Sequence, residues 1–159
     1  MKKGFSLVEI IIILFIISIG LLGVLSLIIQ NIQSQGYNKN NLVAYQLAQE
    51  GVELIRMVRD SNWRQGEAYD AGLNDGIFFM DYQDSLPHLS SGVTGEFILH
   101  QGLDGFYYHG GTATSSGFSR QITLKRENAN TLKVTVNVGW QERGRDSYYD
   151  LQTILYNWK

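Results

Sequence analysis

Twenty consecutive residues without a charge, Ile10 to Ile29, run near the start of this chain as "IIIILFIISIGLLGVLSLII", interrupted only by Ser18, Gly20, Gly23 and Ser26. As a helix, the stretch from Phe5 to Ile29 reaches about 37 Å, against about 30 Å of bilayer hydrocarbon. It is long enough to span a membrane, so the lipid bilayer is its expected first partner. The run exceeds the roughly 7 to 15 apolar residues of a cleaved secretory signal. Asn31, Gln33 and Gln35 also stand where a small-residue cut site would be needed. Lys2 and Lys3 precede the span, which predicts a cytoplasmic N-terminus and a C-terminal part outside the cytoplasm.

The rest of the chain is of a different kind. Of 159 residues, 44% are hydrophobic, but that mean averages the anchor with a body after residue 38 that holds nearly all of the charge. What remains suits one modest domain. A formal net charge of −2, with thirteen Lys and Arg scattered rather than striped, supplies no field for steering nucleic acid, so no nucleic-acid partner is expected. There is no cysteine, hence no disulfide framework, thiolate zinc site or catalytic thiol.

One residue sits badly with the anchor. Glu9 places a carboxylate at its start, where an acidic side chain is costly near the bilayer centre and tolerable within a turn of the interface. On one reading it sits in the first turn, favoured by the helix dipole, and snorkels to the headgroups. The other reading takes its context into account. "MKKG" is a short basic leader ending in Gly4, and Phe5 opens an apolar run, "FSLVE", whose fifth residue is Glu9. This pattern resembles the class III signal of the type IV pilin and type II secretion pseudopilin superfamily.

The resemblance implies that a prepilin peptidase cuts between Gly4 and Phe5 on the cytoplasmic side, and that the new N-terminal Phe5 is methylated. It further implies that the apolar segment serves first as a membrane anchor and then as a filament core, and that Glu9 is an assembly residue. In a filament its carboxylate would neutralise the N-terminal ammonium of a neighbouring subunit, since either charge buried alone would be penalised. Loss of Lys2 and Lys3 leaves eleven basic residues against fifteen acidic ones. Retention of Glu9 argues against the tip-most pseudopilin, a relative that often lacks it. Major pilins commonly carry a proline in the span, whereas the single proline here is Pro87. Gly20 and Gly23 read either as close-packing small residues or as points where the helix loosens.

Beyond a polar stretch, "QNIQSQGYNKNN", with a possible bend at Gly36, a helical stripe returns. Ala44, Leu47, Ala48, Gly51, Leu54, Ile55 and Val58 recur at three- and four-residue steps, with Glu50, Glu53, Arg56 and Arg59 off the stripe. Asp60, Ser61 and Asn62 mark its predicted end. The segment "AYQLAQEGVELIRMVRDSNW" resembles minor pilins of the PilV or pseudopilin I type. Short strands are predicted at 76–82, 95–100 and 105–109. Alternation then predicts a three-stranded antiparallel meander: Phe118 to Arg126, Thr131 to Trp140 after the turn "ENAN", and a last strand after "ERGRD". Apolar residues fall on both parities of that last strand, which predicts cover on both faces.

The expected fold class is thus α+β: a long N-terminal helix, membrane-spanning in its first half, packed on an antiparallel β-sheet in the pilin manner. Its parts are a leader over 1–4, a transmembrane and filament-core helix over 5–29, an extension over 30–62 that packs on the sheet, and a β-rich body over 63–159. No catalytic motif emerges, and neither a cofactor nor an enzymatic activity is expected. His88, His100 and His109 lack metal-ligand spacing and are assigned surface or turn roles. "DAGLNDG" at 70–76 has the composition of a calcium loop but misses EF-hand spacing, and turn chemistry explains it better. "FYYHGG" at 106–111 reads as strand packing before an exposed binding patch. The function this implies is a structural minor subunit of a type IV pilus-like or type II secretion filament. Its partners would be the prepilin peptidase, other pilin or pseudopilin subunits and an inner-membrane assembly platform. The alternative is an anchored binding module or enzyme that never enters a filament.

Overall fold

The computed structural model describes residues 4, 6–110 and 114–158. Helix α1 runs from Leu7 to Gln65 and is followed by an antiparallel sheet of seven strands, an α+β, pilin-like fold. Two compact units divide the chain at residue 39.

In the first unit the helix passes unbroken through Gly20, Gly23 and Gly36. Its apolar side chains from Leu7 to Ile29 all stand exposed. Ser18 returns its hydroxyl to the Leu14 carbonyl at 2.7 Å, so even the polar interruptions are satisfied within the helix. That is the condition for a backbone in hydrocarbon, where no water is present to bond it. The segment is long and apolar enough to cross a membrane.

The second unit, Asn40–Lys159, is the body. Here the predicted helical stripe is the buried face: Ala44, Leu47, Ala48, Gly51, Leu54, Ile55 and Val58 are all buried, joined by Val52 and Asn62. Gly51 permits close approach, since a Cβ there would lie 3.0 Å from Val136 Cγ1. The helix ends later than "DSN" predicts. It closes at Gly66 (φ +76) in a Schellman motif, with Gly66 N–H donating to Trp63 O at 3.3 Å and Glu67 N–H to Asn62 O at 2.9 Å. Asn62 does not cap. It turns inward and donates through Nδ2 to the carbonyls of Tyr69 (3.2 Å) and Ala71 (2.9 Å), tying the helix end to the next loop.

The strands are β1 (Gly76–Phe79), β2 (His88–Leu89), β3 (Ile98–Gln101), β4 (Tyr107–His109), β5 (Ser115–Asn128), β6 (Thr131–Glu142) and β7 (Arg145–Tyr156). The meander β5–β6–β7 is as predicted, with Ile122 opposite Val136 and Val136 opposite Leu151. A two-residue turn with positive φ at Arg143 and Gly144 joins β6 to β7, matching the right-handed twist of the ribbon. The other edge of β5 is shared: β1 pairs with residues 122–124, and β3 pairs near its start, Ile98 opposite Ser119. Residues 95–97, expected to begin the strand over 95–100, belong to a 3-10 turn over Thr94–Phe97, and the two-residue β2 is an addition to the predicted set.

Buried Ile122, Leu124, Leu132, Val134, Val136 and Val138 face the helix and form the core. Strand β7 departs from expectation. Leu155 is buried and Tyr149 meets Tyr45 edge-on at 5.7 Å, but Tyr148, Ile154 and Tyr156 are exposed. Only one face of β7 is covered, because among the described residues one α-helix lies on the sheet, and it lies on the other side. Trp158, just past β7, is also exposed but touches Trp63 edge-on at 4.8 Å.

Candidate functional site

The expected assembly residues lie at the start of the first unit. Gly4 is exposed, with no heavy atom within 4 Å of where a Cβ would stand. The helix begins as Ile10 N–H donates to Ser6 O at 3.2 Å, and Glu9 occupies the first helical turn, exposed. Phe5, the expected methylation site, lies outside the described residues, as do Lys2 and Lys3. At this end of the helix the first backbone N–H groups have no helical acceptor, which favours a carboxylate at Glu9's position.

In the body, one histidine departs from expectation. His88 is exposed, pairs with Asp84 at 3.1 Å and stacks on Phe79. His109, assigned to the surface by sequence, has a side chain only 3% exposed. Its Nδ1 lies 2.6 Å from Asp81 Oδ1, its backbone N–H donates to Asp81 Oδ2 at 2.7 Å, and its Nε2 lies 3.3 Å from the Arg120 carbonyl oxygen. The Arg120 side chain is fully buried. It donates to the Met80 carbonyl at 2.8 Å and the Leu47 carbonyl at 3.4 Å, and meets Glu50 at 3.0 Å and Asp81 at 3.5 Å. Both ring nitrogens of His109 face structural partners rather than a nucleophile.

This cluster joins helix, sheet and loop, and sequence reading missed it. A signal was present: Arg120 occupies a core-parity position between Phe118 and Ile122, and an arginine there must find anions inside. Burial opposes charge on Asp81, yet the His109 bonds and then the Arg120 charge outweigh it and hold this carboxyl below its ordinary range. Asp81 therefore stabilises the body above the ordinary carboxylate range, and that contribution is lost as pH falls through its lowered folded value. A thermal melt series below about pH 4 is expected to show this loss, and Asp81→Asn to flatten it.

The acidic residues of the candidate calcium loop are used internally. Asp70 pairs with the Arg126 guanidinium, and Asp75 Oδ1 accepts the Arg126 backbone N–H at 2.6 Å. Glu96 takes both hydroxyls of Ser90 and Ser91 and the Ser91 N–H, bonds that hold its carboxyl low against the opposing effect of desolvation. In the aromatic cluster, Tyr107 packs edge-on to Phe118, while Phe106 is exposed and leans on Tyr82 with ring centres 5.4 Å apart. Gly111 of that cluster lies outside the described residues. A groove of roughly 410 Å³ opens between Ile98 and Tyr148 over Ser119 and Gly139.

Residues 1–25 match the prokaryotic N-terminal methylation motif. That match supports a type IV pilin-like, prepilin-processed class and points to a structural subunit. It covers the leader, the Gly4–Phe5 junction, Glu9 and most of the apolar run. No curated protein and no solved structure matches the chain.

Proposed function

We propose that this protein is a minor pilin or pseudopilin, of the PilV or pseudopilin I type, built into a type IV pilus-like or type II secretion filament. The observation that carries the reading is the methylation motif over residues 1–25, leading directly into a helix whose apolar side chains are exposed from Leu7 to Ile29. Such a surface needs lipid or other helices around it. Before assembly the chain is a single-pass inner-membrane protein with residues 63–159 outside the cytoplasm. Prepilin peptidase removes residues 1–4, Phe5 is methylated, and an assembly platform passes the subunit into a filament. There the 5–29 helix packs among its neighbours, Glu9 meets a neighbour's terminal ammonium, and the 30–62 segment carries the sheet.

Processing is the direct test. Protein from a host with an active prepilin peptidase should have the intact mass of a chain starting at Phe5 plus one methyl group. Gly4→Leu should abolish the cut and leave full-length protein in the membrane, because a bulky side chain at that position would obstruct the peptidase. Recovery of the unprocessed wild type from such a host overturns the reading.

A further inference from the structure

Strand β7 has an open edge. It pairs with β6 alone, through a ladder that runs from Arg145 to Tyr156 without the register shifts of the β3–β5 and β5–β6 pairs. Glu142 and Arg145 close the two-residue turn, so they exchange hydrogen bonds with each other, and the antiparallel alternation then fixes the direction of every later amide. Asp146, Tyr148, Asp150, Gln152, Ile154 and Tyr156 turn their backbone N–H and C=O groups away from β6. Among the described residues no hydrogen bond reaches these groups. Such a row is a template for another strand, which sheets commonly blunt with proline, lysine or a bulge. Residues 145–156 hold none of these.

The side chains along this edge select the strand it takes. Asp146 and Asp150 are exposed, and they accept only from neutral amides, Gln141 Nε2 at 3.4 Å and Asn137 Nδ2 at 2.5 Å. Elsewhere in the body Asp70, Asp81 and Asp84 each face an arginine or a histidine. Arg145, the one cation of β7, has the opposite parity. The edge is therefore short of positive charge, with the exposed ring of Tyr148 between its two carboxylates. A second copy's β7 would bring the same two acids and no lysine, so pairing of β7 with itself leaves that charge unanswered.

We propose that the β7 edge docks an extended segment of a partner protein, with Lys or Arg opposite Asp146 and Asp150, which joins the seven-stranded sheet as a further strand. Backbone pairing supplies affinity, and the two basic residues, four apart, set the register. Residues of the same parity pack beside exposed Tyr148, Ile154 and Tyr156. Those of the other parity meet a groove of roughly 210 Å³ between Gln49, Val52 and Glu53 of the helix and Leu151 and Thr153 of the strand. This edge belongs to the body alone, so its binding is independent of processing and of entry into a filament.

The probe is a synthetic peptide of alternating Val and Thr in which Lys replaces the second and fourth valines, added to the full-length chain in neutral detergent micelles. Amide exchange at Tyr148, Asp150, Gln152 and Ile154, fast in the free chain, should slow at saturating peptide. Glutamate in place of both lysines, or N-methylation of the lysines and the residues of their parity, should abolish this protection. Asp146→Asn combined with Asp150→Asn should weaken binding about fivefold, the value of two cross-strand charge pairs, and reduce its salt dependence. Gln152→Pro blocks the edge without removing a bond to β6, so it should abolish binding and leave the melt unchanged. If that variant does not fold, the N-methylated peptide decides alone. Absence of protection by the lysine peptide, equal protection by its N-methylated form, or edge protection in the free chain that grows with its own concentration overturns the proposal.

Discussion

Val136→Asp should abolish folding of the body. Val136 is fully buried in β6, opposite Ile122 on one side and Leu151 on the other, and its methyl groups meet the helix at Gly51. A carboxylate there would stand in the hydrophobic core cluster, and the nearby Arg120 is already committed to Glu50 and Asp81. Leaving a charge unpaired in such a site costs upward of about 4 kcal/mol, a large share of the ~5–15 kcal/mol that stabilises a domain. The neighbouring residue supplies the control. Thr135 points to the opposite face, in register with Thr123 and Gln152, and is half-buried among polar side chains. Thr135→Asp should shift stability by no more than roughly 0.5 kcal/mol. Circular dichroism melts and limited proteolysis of the full chain in detergent distinguish the two. Equal melting would mean that the strand's inner and outer faces have been wrongly assigned.

That contrast also shows why this part of the fold was legible. Strict alternation from Leu132 to Trp140 and the three–four spacing from Ala44 to Val58 both arise because one face of an element meets hydrocarbon and the other meets water. Both patterns survive intact in the structure. Where burial is decided by something other than hydrophobicity, the sequence is silent or misleading. His109 and Arg120 are inside because each finds its counter-charges at residues far along the chain, Asp81 and Glu50; the core-parity position of Arg120 signals the need for anions, but spacing does not say which residues supply them. Asn62 looked like a helix terminator, yet its amide is used across the loop to Tyr69 and Ala71. Apolar residues on both parities of β7 suggested two covered faces, but a single helix can cover only one. Tyr148, Ile154 and Tyr156 mark the side it leaves open. The N-terminal motif over residues 1–25 was legible for a different reason: it is a linear pattern, so the order of Gly4, Phe5 and Glu9 carries it without any fold, and the roles proposed for these residues rest on that order.

Glu9→Ala is expected to yield a processed, membrane-resident protein that is excluded from filaments. Glu9 stands exposed in the first helical turn, four residues after Phe5, where the helix end favours a carboxylate but no side chain among the described residues pairs with it. If it served only to reach the headgroups, an uncharged replacement would be neutral or would ease insertion. If it neutralises a neighbour's terminal ammonium, its loss leaves that ammonium buried and unpaired on docking. Broken buried pairs cost about 3–5 kcal/mol, enough to reduce incorporation by about two to three and a half orders of magnitude when mutant and wild-type subunits compete. Insertion and cleavage precede docking, so both should proceed normally, and this separates the prediction from a general folding defect. Glu9→Asp tests distance, since it keeps the charge but withdraws it by one methylene, and it should fall between the two. Filaments sheared from cells and pelleted, then compared with the membrane fraction by immunoblot, report the ratio directly. Equal incorporation of Glu9→Ala and wild type would return Glu9 to an interfacial role and remove the assembly function from this end of the helix.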